Sequence, residues 1–594
     1  MIIMNEEKKN CQNCESEFTV EVDDFEFYEK MSDSKSEVKI PAPTFCSACR
    51  VQRRMAFFNQ TNLYKRKCDG TGEMIFSSIS EDYSGKVYDT LYWWSDNWDA
   101  IEYARDYDFN KTFFEQIKKL SLDVPKFSRS VLNLVNSDYC AGGANLKDCY
   151  LVFNSGDNEN CLYGAKLNFS KDSLDNYNLI KSELCSNCFM VRNSYQVHYS
   201  QHCNDCQNIY FSRDLRGCSN CFGCVNLNNK SYYIFNKKYT KDEYEKKVKE
   251  FDIGSFQTRQ AIEKQIKDFC LKYPVKYMNG LNNVDVSGNY ISNSKNVKKS
   301  DHIADAENCK YCYSYQIGVK DSYDCTLFGT NAEMIYETAV SGLGISNLKF
   351  CYECYTNNSD LEYCINCMSS SNLFGCVGLR KKQYCIFNKQ YTKEEFFPMV
   401  EKIKKQMNEM PYTDKQGNEY KYGEFFPLEF SSFAYNETIA QDYFPLTKKE
   451  IVEKGCRWKN VEEKDYKITI EAKDLPDNIK DVSYVAEAMR DKDSSILKEV
   501  IGCATRQEDR EQTGCATAFR IVLRELEFYK KMNLSLPRYC PSCRHHERLK
   551  YRNPLKLYKR SCMKEGCDTE FETTYAPNRP EIVYCGKCYQ NEVV

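Results

Sequence analysis

Several features that define common classes of protein are missing from this sequence of 594 residues. It has no run of about 18 apolar residues, so we expect no membrane span. Its start, MIIMNEEKKN, lacks the apolar core of a signal peptide, which predicts a cytoplasmic protein. Histidine is scarce, at five residues, which argues against a histidine-rich catalytic metal centre. The net charge is only −3, so any affinity for nucleic acid must come from local patches.

Cysteine, by contrast, is abundant, at 34 residues. Thiols stay reduced in the cytoplasm, so we predict that these cysteines are metal ligands or small buried core residues. A disulfide framework is the alternative. A chain of this length should fold as several domains, because single hydrophobic cores stop growing well below this size.

Near the N-terminus, one C-x2-C pair lies at 11–14 and a second at 46–49. Two such pairs bring four thiolates within tetrahedral reach of one Zn²⁺, which is typical of a closed structural site. The predicted ligands are Cys11, Cys14, Cys46 and Cys49.

The C-terminal part repeats this pattern, since FCSACRVQRRMAFFNQTNLYKRKC (45–68) aligns with YCPSCRHHERLKYRNPLKLYKRSC (539–562). Gln512 stands where a match to Cys11 would be, and Cys503 is the nearest spare thiol. Asp89 and Tyr92 replace the last two cysteines in the N-terminal copy, so no metal is predicted beside Cys68. About three Zn²⁺ ions are therefore predicted. The C-terminal ligands are Cys503, Cys515, Cys540 and Cys543 in one site, and Cys562, Cys567, Cys585 and Cys588 in the next.

Basic residues follow the second C-x2-C pair in both copies, with aromatic residues between them. Such segments often contact phosphate backbones and stack on bases, which predicts contact with nucleic acid or a ribonucleoprotein. A solvated basic face is the alternative. The candidates are Arg50, Arg53, Arg54, Lys65 and Arg66, and then Arg544, Arg548, Arg552, Lys559 and Arg560.

The middle of the chain has a regular cysteine spacing, with Cys185, Cys203 and Cys221 at equal intervals. A fixed period indicates a repeat architecture, and a coil of about 18 residues fits a β-solenoid with an inward ladder of cysteines. Metal binding or redox chemistry by its C-x2-C pairs are the alternatives. FGCVNLNNKSYYIFNKKYTKDEY (222–244) recurs as FGCVGLRKKQYCIFNKQYTKEEF (374–396), and Thr240 and Thr392 are predicted helix N-caps with capping boxes.

The predicted fold is mainly β and multidomain, with terminal zinc ribbons flanking a cysteine-laddered β-solenoid that carries helical insertions. The predicted parts are an N-terminal ribbon with a degenerate second site (1–99), a helical connector (100–128), solenoid block 1 (129–240), a helical insertion (241–285), solenoid block 2 (286–392), a helix and connector (393–500) and a double ribbon (501–594).

Long stretches such as LYKRKCDGTG, YWWSDNWD and FAYNETIAQDYFPLTK resemble a family of uncharacterised cysteine-rich zinc-ribbon proteins of reduced-genome bacteria and large DNA viruses. Some similar sequences carry the label CaiB/BaiF, but no residue pattern found here supports that chemistry. The resemblance implies no known activity. It implies zinc binding at Cys11, Cys14, Cys46, Cys49, Cys515, Cys540, Cys543, Cys562, Cys567, Cys585 and Cys588.

The sequence thus predicts a non-enzymatic zinc-binding scaffold that contacts nucleic acid or ribonucleoprotein through its basic ends. One alternative is a β-solenoid enzyme that acts on a polysaccharide-like substrate. Another is a structural component of a virion or other assembly, which would self-associate through the solenoid.

Overall fold

The mainly β architecture with a central solenoid is confirmed by the computed structural model, which describes residues 5–59, 61–460, 466–482 and 495–593. Parts of the predicted 393–500 connector, at 461–465 and 483–494, lie outside the described residues. In the described part, none of the helices has the length and apolar character that a membrane span needs.

The N-terminal module consists of short strands and helices. Thr112 caps the last helix with a capping box, as its side chain accepts from the backbone N–H of Glu115. The elements are β1 (Glu7–Asn10), β2 (Glu17–Val20), α1 (Val22–Met31), α2 (Ser47–Met55), β3 (Tyr64–Lys67), β4 (Met74–Ser77), β5 (Val87–Tyr88), α3 (Thr90–Trp94), α4 (Phe113–Asp123) and β6 (Lys126–Phe127).

Solenoid block 1 follows, and the predicted cap at Thr240 of the helix after it is confirmed. Its strands are β7 (Val131–Val135), β8 (Ala141–Lys147), β9 (Tyr150–Glu159), β10 (Leu162–Asn168), β11 (Tyr177–Ile180), β12 (Phe189–Arg192), β13 (Tyr195–His198), β14 (Gln201–Asn204), β15 (Gln207–Tyr210), β16 (Arg213–Arg216), β17 (Ser219–Phe222), β18 (Val225–Asn228), β19 (Ser231–Ile234) and β20 (Lys237–Lys238). Then come α5 (Lys241–Glu250), α6 (Phe256–Cys270) and β21 (Val275–Lys276).

Each coil of block 1 has 12 residues. Hydrogen bonds between neighbouring coils show this, since Cys185 N–H donates to Ser173 and Cys206 N–H to Ser194, 12 residues earlier in each case. A residue with positive φ recurs every third position, as at Asp205, Asn208 and Phe211, so the chain turns a corner after every three residues. The residue after each corner points inward and is buried, as are Cys206 and Ile209. Asparagine and aspartate suit these corners because they tolerate left-handed backbone.

The predicted 18-residue coil is therefore wrong. The spacing of Cys185, Cys203 and Cys221 equals one and a half 12-residue coils, so these cysteines alternate between opposite sides of the same interior. The interior has a three-residue period, and cysteine fills only some of its positions. C-x2-C pairs in this region are inward residues on adjacent sides of one coil.

Solenoid block 2 repeats this design, with some coils of 13 residues, as between Lys349 and Glu362. The predicted N-cap at Thr392 of the helix that follows is confirmed. The strands are β22 (Gly280–Leu281), β23 (Val284–Ser292), β24 (Lys295–Ala304), β25 (Glu307–Lys310), β26 (Tyr313–Ala339), β27 (Ile345–Lys349), β28 (Ser359–Glu362), β29 (Ser371–Phe374), β30 (Gln383–Ile386) and β31 (Lys389–Gln390), followed by α7 (Lys393–Glu409).

The two blocks lie side by side and run in opposite directions. Three contacts show this: Lys126 lies 5.8 Å from the ring centroid of Tyr352, Lys166 donates to Ser314, and His202 bonds Tyr290. Residue numbers rise along one block as they fall along the other. The start of each block is therefore at the opposite end of the pair.

The rest of the chain forms a connector and a C-terminal module that repeats the N-terminal one. Helices α12 and α13 below correspond to α1 and α2, and the hairpin β37–β38 corresponds to β3–β4. The elements are β32 (Tyr412–Thr413), β33 (Glu419–Tyr420), α8 (Ile439–Tyr443), α9 (Lys448–Glu453), β34 (Ile470–Glu471), α10 (Ser495–Lys498), β35 (Ile501–Gly502), α11 (Arg510–Thr513), β36 (Ala518–Phe519), α12 (Leu523–Lys531), α13 (Pro541–Leu549), β37 (Tyr558–Ser561), β38 (Glu570–Thr573), β39 (Val583–Tyr584) and α14 (Gly586–Val593).

The modules pack in a crossed arrangement. The N-terminal module shares one apolar core with block 2, while the first part of the C-terminal module packs against block 1 through Leu162, Tyr163 and Leu174. Each module is thus placed on the solenoid block that is more distant from it in sequence.

Candidate metal centres and arginine clamps

Three groups of four cysteines could hold metal ions, since in each group the four sulfur atoms lie within 4.8 Å of one another. A tetrahedral zinc with Zn–S bonds of about 2.3 Å would place its sulfurs about 3.8 Å apart. The sulfur atoms of Cys14 and Cys46 are 3.8 Å apart, and those of Cys540 and Cys543 are 3.5 Å apart. The donor sets and their spacing fit a tetrahedral thiolate-binding ion.

The structure brings all twelve predicted ligands into these groups. Cys503, which sequence matching did not align with Cys11, lies in the second group with its sulfur 3.9 Å from that of Cys543. The groups are Cys11, Cys14, Cys46 and Cys49; Cys503, Cys515, Cys540 and Cys543; and Cys562, Cys567, Cys585 and Cys588.

Local structure stabilises a thiolate at some of these positions and a thiol at others. Cys46 and Cys540 are the N-cap residues of α2 and α13, with the same backbone angles, φ −64° and ψ 161°. The partial positive charge of a helix N-terminus stabilises an anionic sulfur. Hydrogen bonds from the side chain and backbone of Thr569 lower the pKa of Cys567 to about 6, and thiol hydrogen bonds from Cys46 and Cys49 lower the pKa of Cys11. The sulfur of Cys11 in turn raises the pKa of Cys46 to about 11, and that of Cys503 raises the pKa of Cys540.

The three groups differ in exposure. The second is fully buried, whereas Cys14 in the first is exposed and Cys567 and Cys588 in the third are half-buried. An acidic cluster of Glu21, Asp23 and Asp24 also has metal-ligand spacing, but Lys310 already forms ion pairs with all three carboxylates.

The position of Cys68 shows how the N-terminal copy keeps its shape with one cysteine. Backbone N–H groups of Thr71 and Asp89 donate to its sulfur at 3.4 and 3.2 Å. The adjacent core is aromatic, as Trp93 is fully buried and donates to the carbonyl of Pro125. Trp98 is also buried, so core packing accounts for these two residues, whereas Trp94 is 49% exposed.

The solenoid cysteines have a different environment. Their thiols donate to backbone carbonyls of the next coil, as Cys188 does to Val197 at 3.1 Å and Cys218 to Leu227 at 3.2 Å. Burial raises the pKa of Cys188 to about 12, so it is a neutral thiol. In the described part of the chain the groups of three or more potential ligands include no solenoid cysteine, which favours the predicted core ladder.

The arginines next to the first and second cysteine groups are not on the surface, which corrects the predicted nucleic-acid face. In the N-terminal module, Arg54 is fully buried and forms ion pairs with Asp324 at 3.1 Å and Glu337 at 2.9 Å. Arg50 also contacts Asp324, at 2.8 Å. Burial alone would lower the pKa of Arg50, but the carboxylate of Asp324 raises it well above its ordinary value, so the guanidinium stays charged. Arg53, also buried, binds Glu337 and Glu424.

The C-terminal module makes the matching contact with block 1. Arg544 and Arg548 extend from α13 to the two carboxylate oxygens of Asp175, at 2.7 and 3.1 Å. Arg544 also binds Glu525 at 2.9 Å and donates to the hydroxyl of Tyr529. We call these two networks the arginine clamps: Arg50, Arg53 and Arg54 with Asp324, Glu337 and Glu424, and Arg544 and Arg548 with Asp175 and Glu525.

The other predicted basic residues are split between buried and exposed positions. Arg66 is buried and donates to the carbonyl of Ser80. Arg552 is half-buried over the ring of Tyr443, and Arg560 is half-buried and donates to Ala576. Only Lys65 and Lys559 of the ten are exposed. The predicted basic face therefore does not form, because most of its members are used inside the protein.

Sequence reasoning missed the carboxylates of the clamps. Asp175 and Asp324 end the same short motif, KDSLD at 171–175 and KDSYD at 320–324, once in each solenoid block. This repeat is the signal that could have identified them. It lies in the solenoid, far from the arginines in sequence, so charge patterning along the chain does not reveal the pairing.

Comparison with known proteins adds little. No family model matches the chain, and no curated protein matches it. Among solved structures it is similar to a putative acetyltransferase from Desulfovibrio desulfuricans G20, with 11% identity over 45% of this chain and 71% of that chain, and a TM-score of 0.11. A TM-score of this size carries no argument about fold or activity.

Proposed function

We propose that the protein is a non-enzymatic zinc-binding scaffold, in which zinc fixes the terminal modules and the modules clamp the two solenoid blocks together. Four-sulfur sites with this spacing are typical of structural zinc, which has no open coordination position for chemistry. Zinc binding would supply folding free energy to modules that are too small for a large core of their own.

The observation that carries this proposal is that metal ligands and clamp arginines share one helix. Cys46 and Cys49 precede Arg50 and Arg54 on α2, and the same order recurs at α13. An ion that holds the start of the helix therefore also sets where the arginines enter the solenoid. The duplication repeats this combination of metal ligands and arginines, which is expected if its role is to hold the modules on the solenoid.

The pairing of the arginines with buried carboxylates also supports the scaffold role. The arginines that could have contacted phosphate are neutralised by buried carboxylates, so they stabilise the fold. A buried ion pair of this kind is costly to break, because one partner left alone keeps an uncompensated charge.

Metal removal tests the proposal. The reduced chain is stripped of metal with a chelator, and thermal unfolding and limited proteolysis are compared before and after zinc is added back. We expect the metal-free chain to lose protection in both terminal modules first and zinc to restore it. Unchanged unfolding and proteolysis without metal would show that the ions do not stabilise the modules.

A further inference from the structure

The first coil of each solenoid block exposes apolar side chains. Leu132 and Val135 at the start of block 1 are 63% and 53% exposed. Leu281 and Val284 occupy the corresponding place in block 2 and are 51% and 62% exposed. Two equivalent starts thus share the same unusual surface.

At one outer position of each block, charge begins only after this first coil. In both blocks a valine is followed, coil by coil, by lysine, glutamate and lysine at the same position, and the lysine and glutamate form ion pairs. The ladders are Val135, Lys147, Glu159 and Lys171 in block 1, and Val284, Lys295, Glu307 and Lys320 in block 2.

The starts of the blocks are also open edges. In the described residues β7 pairs only with β8, and β22 only with β23, so one side of each first coil has no neighbouring strand. The far ends are closed differently: each finishes in a hairpin whose last strand carries exposed or half-buried lysine, as at Lys237, Lys238 and Lys389, and then enters a capped helix. Lysine on an edge strand opposes pairing with a strand of another chain. Of the two ends of each block, only the start is therefore suited to such pairing.

We propose that copies of this chain associate end to end, first coil against first coil. In a two-fold contact each residue near the axis meets its own copy, so a charged residue would face a like charge. An uncharged residue at the ladder position is what such a contact requires, and both blocks have a valine there, where their charged ladders stop.

Three charged residues lie on or beside the first coils. The guanidinium of Arg129 donates to the carbonyl oxygens of Asp138 and Cys140, and Asp285 forms an ion pair with Lys298. Asp138, in the first coil of block 1, is exposed. Because the blocks run in opposite directions, the two starts lie at opposite ends, so each copy can bind two others and form chains.

Sedimentation of the full-length, zinc-loaded, reduced chain over roughly 1–100 µM, a range that detects micromolar affinities, tests this proposal. We expect the unaltered chain to form species larger than a dimer. Leu132→Lys with Val135→Lys closes one end, so association should stop at the dimer, and the same follows for Leu281→Lys with Val284→Lys. All four substitutions together should give a monomer.

Phe169→Lys is the matched control, because Phe169 is 59% exposed and lies three coils after Leu132, near the contact of Lys166 with Ser314 in the middle of both blocks. It should associate like the unaltered chain, and circular dichroism should confirm that every variant is folded. A chain that stays monomeric up to the highest concentration, or one whose association survives all four lysines, would overturn the proposal.

Discussion

Cysteines in the terminal modules and cysteines in the solenoid share the C-x2-C spacing but lie in different environments. In the modules, a C-x2-C pair meets two further cysteines from another segment, and four sulfurs lie within 4.8 Å of one another. In the solenoid, the two members of a pair occupy adjacent sides of one coil, and their thiols donate to carbonyls. Spacing alone therefore does not identify a metal site. The backbone between the two cysteines decides whether their sulfurs converge with another pair or line an interior.

This comparison also separates two ways of stabilising a fold. We expect each module to depend on a few large terms, namely an ion in its four-cysteine groups and an arginine clamp. The solenoid depends on many small terms, namely stacked inward residues, corner ladders and hydrogen bonds repeated every 12 residues. The following predictions test that difference, starting with the largest effect.

Removing one module ligand should have the largest effect. Cys540→Ser is expected to lose one zinc ion and to unfold the first part of the C-terminal module, because structural zinc supplies on the order of 10 kcal/mol. Elemental analysis gives the ion count, and limited proteolysis locates the unfolded segment.

The matched control is Cys221→Ala in the solenoid, where Cys221 is fully buried. It should keep the full ion count and cost only about 1 kcal/mol, as expected for deletion of one buried heavy atom. If both variants lost metal, the distinction between the two classes of cysteine would fail.

Breaking a clamp should come next. Arg54→Leu leaves Asp324 and Glu337 buried with one cation fewer, which should lower the free energy of unfolding by about 3–5 kcal/mol. Denaturant unfolding in the presence of zinc measures this loss, and the ion count should not change. Arg548→Leu is the equivalent variant in the C-terminal module. A loss below about 1 kcal/mol would mean that the clamp is a weak surface-like contact.

The ion pairs of Glu362 with Lys349 of block 2 and Lys404 of α7 should make stability depend on pH. Burial alone would raise the pKa of Glu362, but Lys349 at 3.1 Å and Lys404 at 3.2 Å lower it to about 2 from its ordinary value of 4.5. A depressed carboxyl pKa stabilises the folded state above pH 4.5, and this contribution is lost as the pH falls from 4.5 towards 2.

The variant Glu362→Gln isolates that contribution, since metal loss in acid affects both proteins equally. We expect the difference in unfolding free energy between the two proteins to be largest at neutral pH and to shrink through this window. A difference that stays constant with pH would show that Glu362 does not carry it.

Apart from the control Cys221→Ala, the smallest effects should come from a corner ladder. Asn145 has φ +54°, accepts from Asn133 and donates to Asp157 at 2.9 Å. Asn145→Ala loses these bonds and strains the left-handed corner, for a total cost of about 1–2 kcal/mol. Asn145→Gly removes the same bonds without the strain, so urea unfolding should show a smaller loss. Equal losses would mean that corner strain is unimportant.

The three cysteine groups could be predicted from the sequence, because most of their members come in recognisable pairs and the duplication aligns them. The solenoid was also predictable from its repeats, although its period was not. Cysteine occupies only some inward positions, and Ile209 and Ser212 fill others. The 18-residue spacing between cysteines therefore equals one and a half coils and not one.

The burial of the arginines could not be read from the sequence. Arg50 and Arg54 lie in a segment without acidic residues, which is typical of an exposed basic face. Their carboxylate partners, Asp324 and Glu337, come from block 2 and approach only because the module folds back onto it. Local patterns therefore identified the charged residues but gave them the wrong environment.

The zinc content of the purified, reduced chain tests the central claim most directly. Elemental analysis of the whole protein, with protein concentration measured independently, gives the number of ions per chain. This account predicts three, one for each group of four cysteines, with the solenoid cysteines free of metal. Clearly more than three ions would place metal in the solenoid, and a chain that folds without any would contradict the proposed role of zinc.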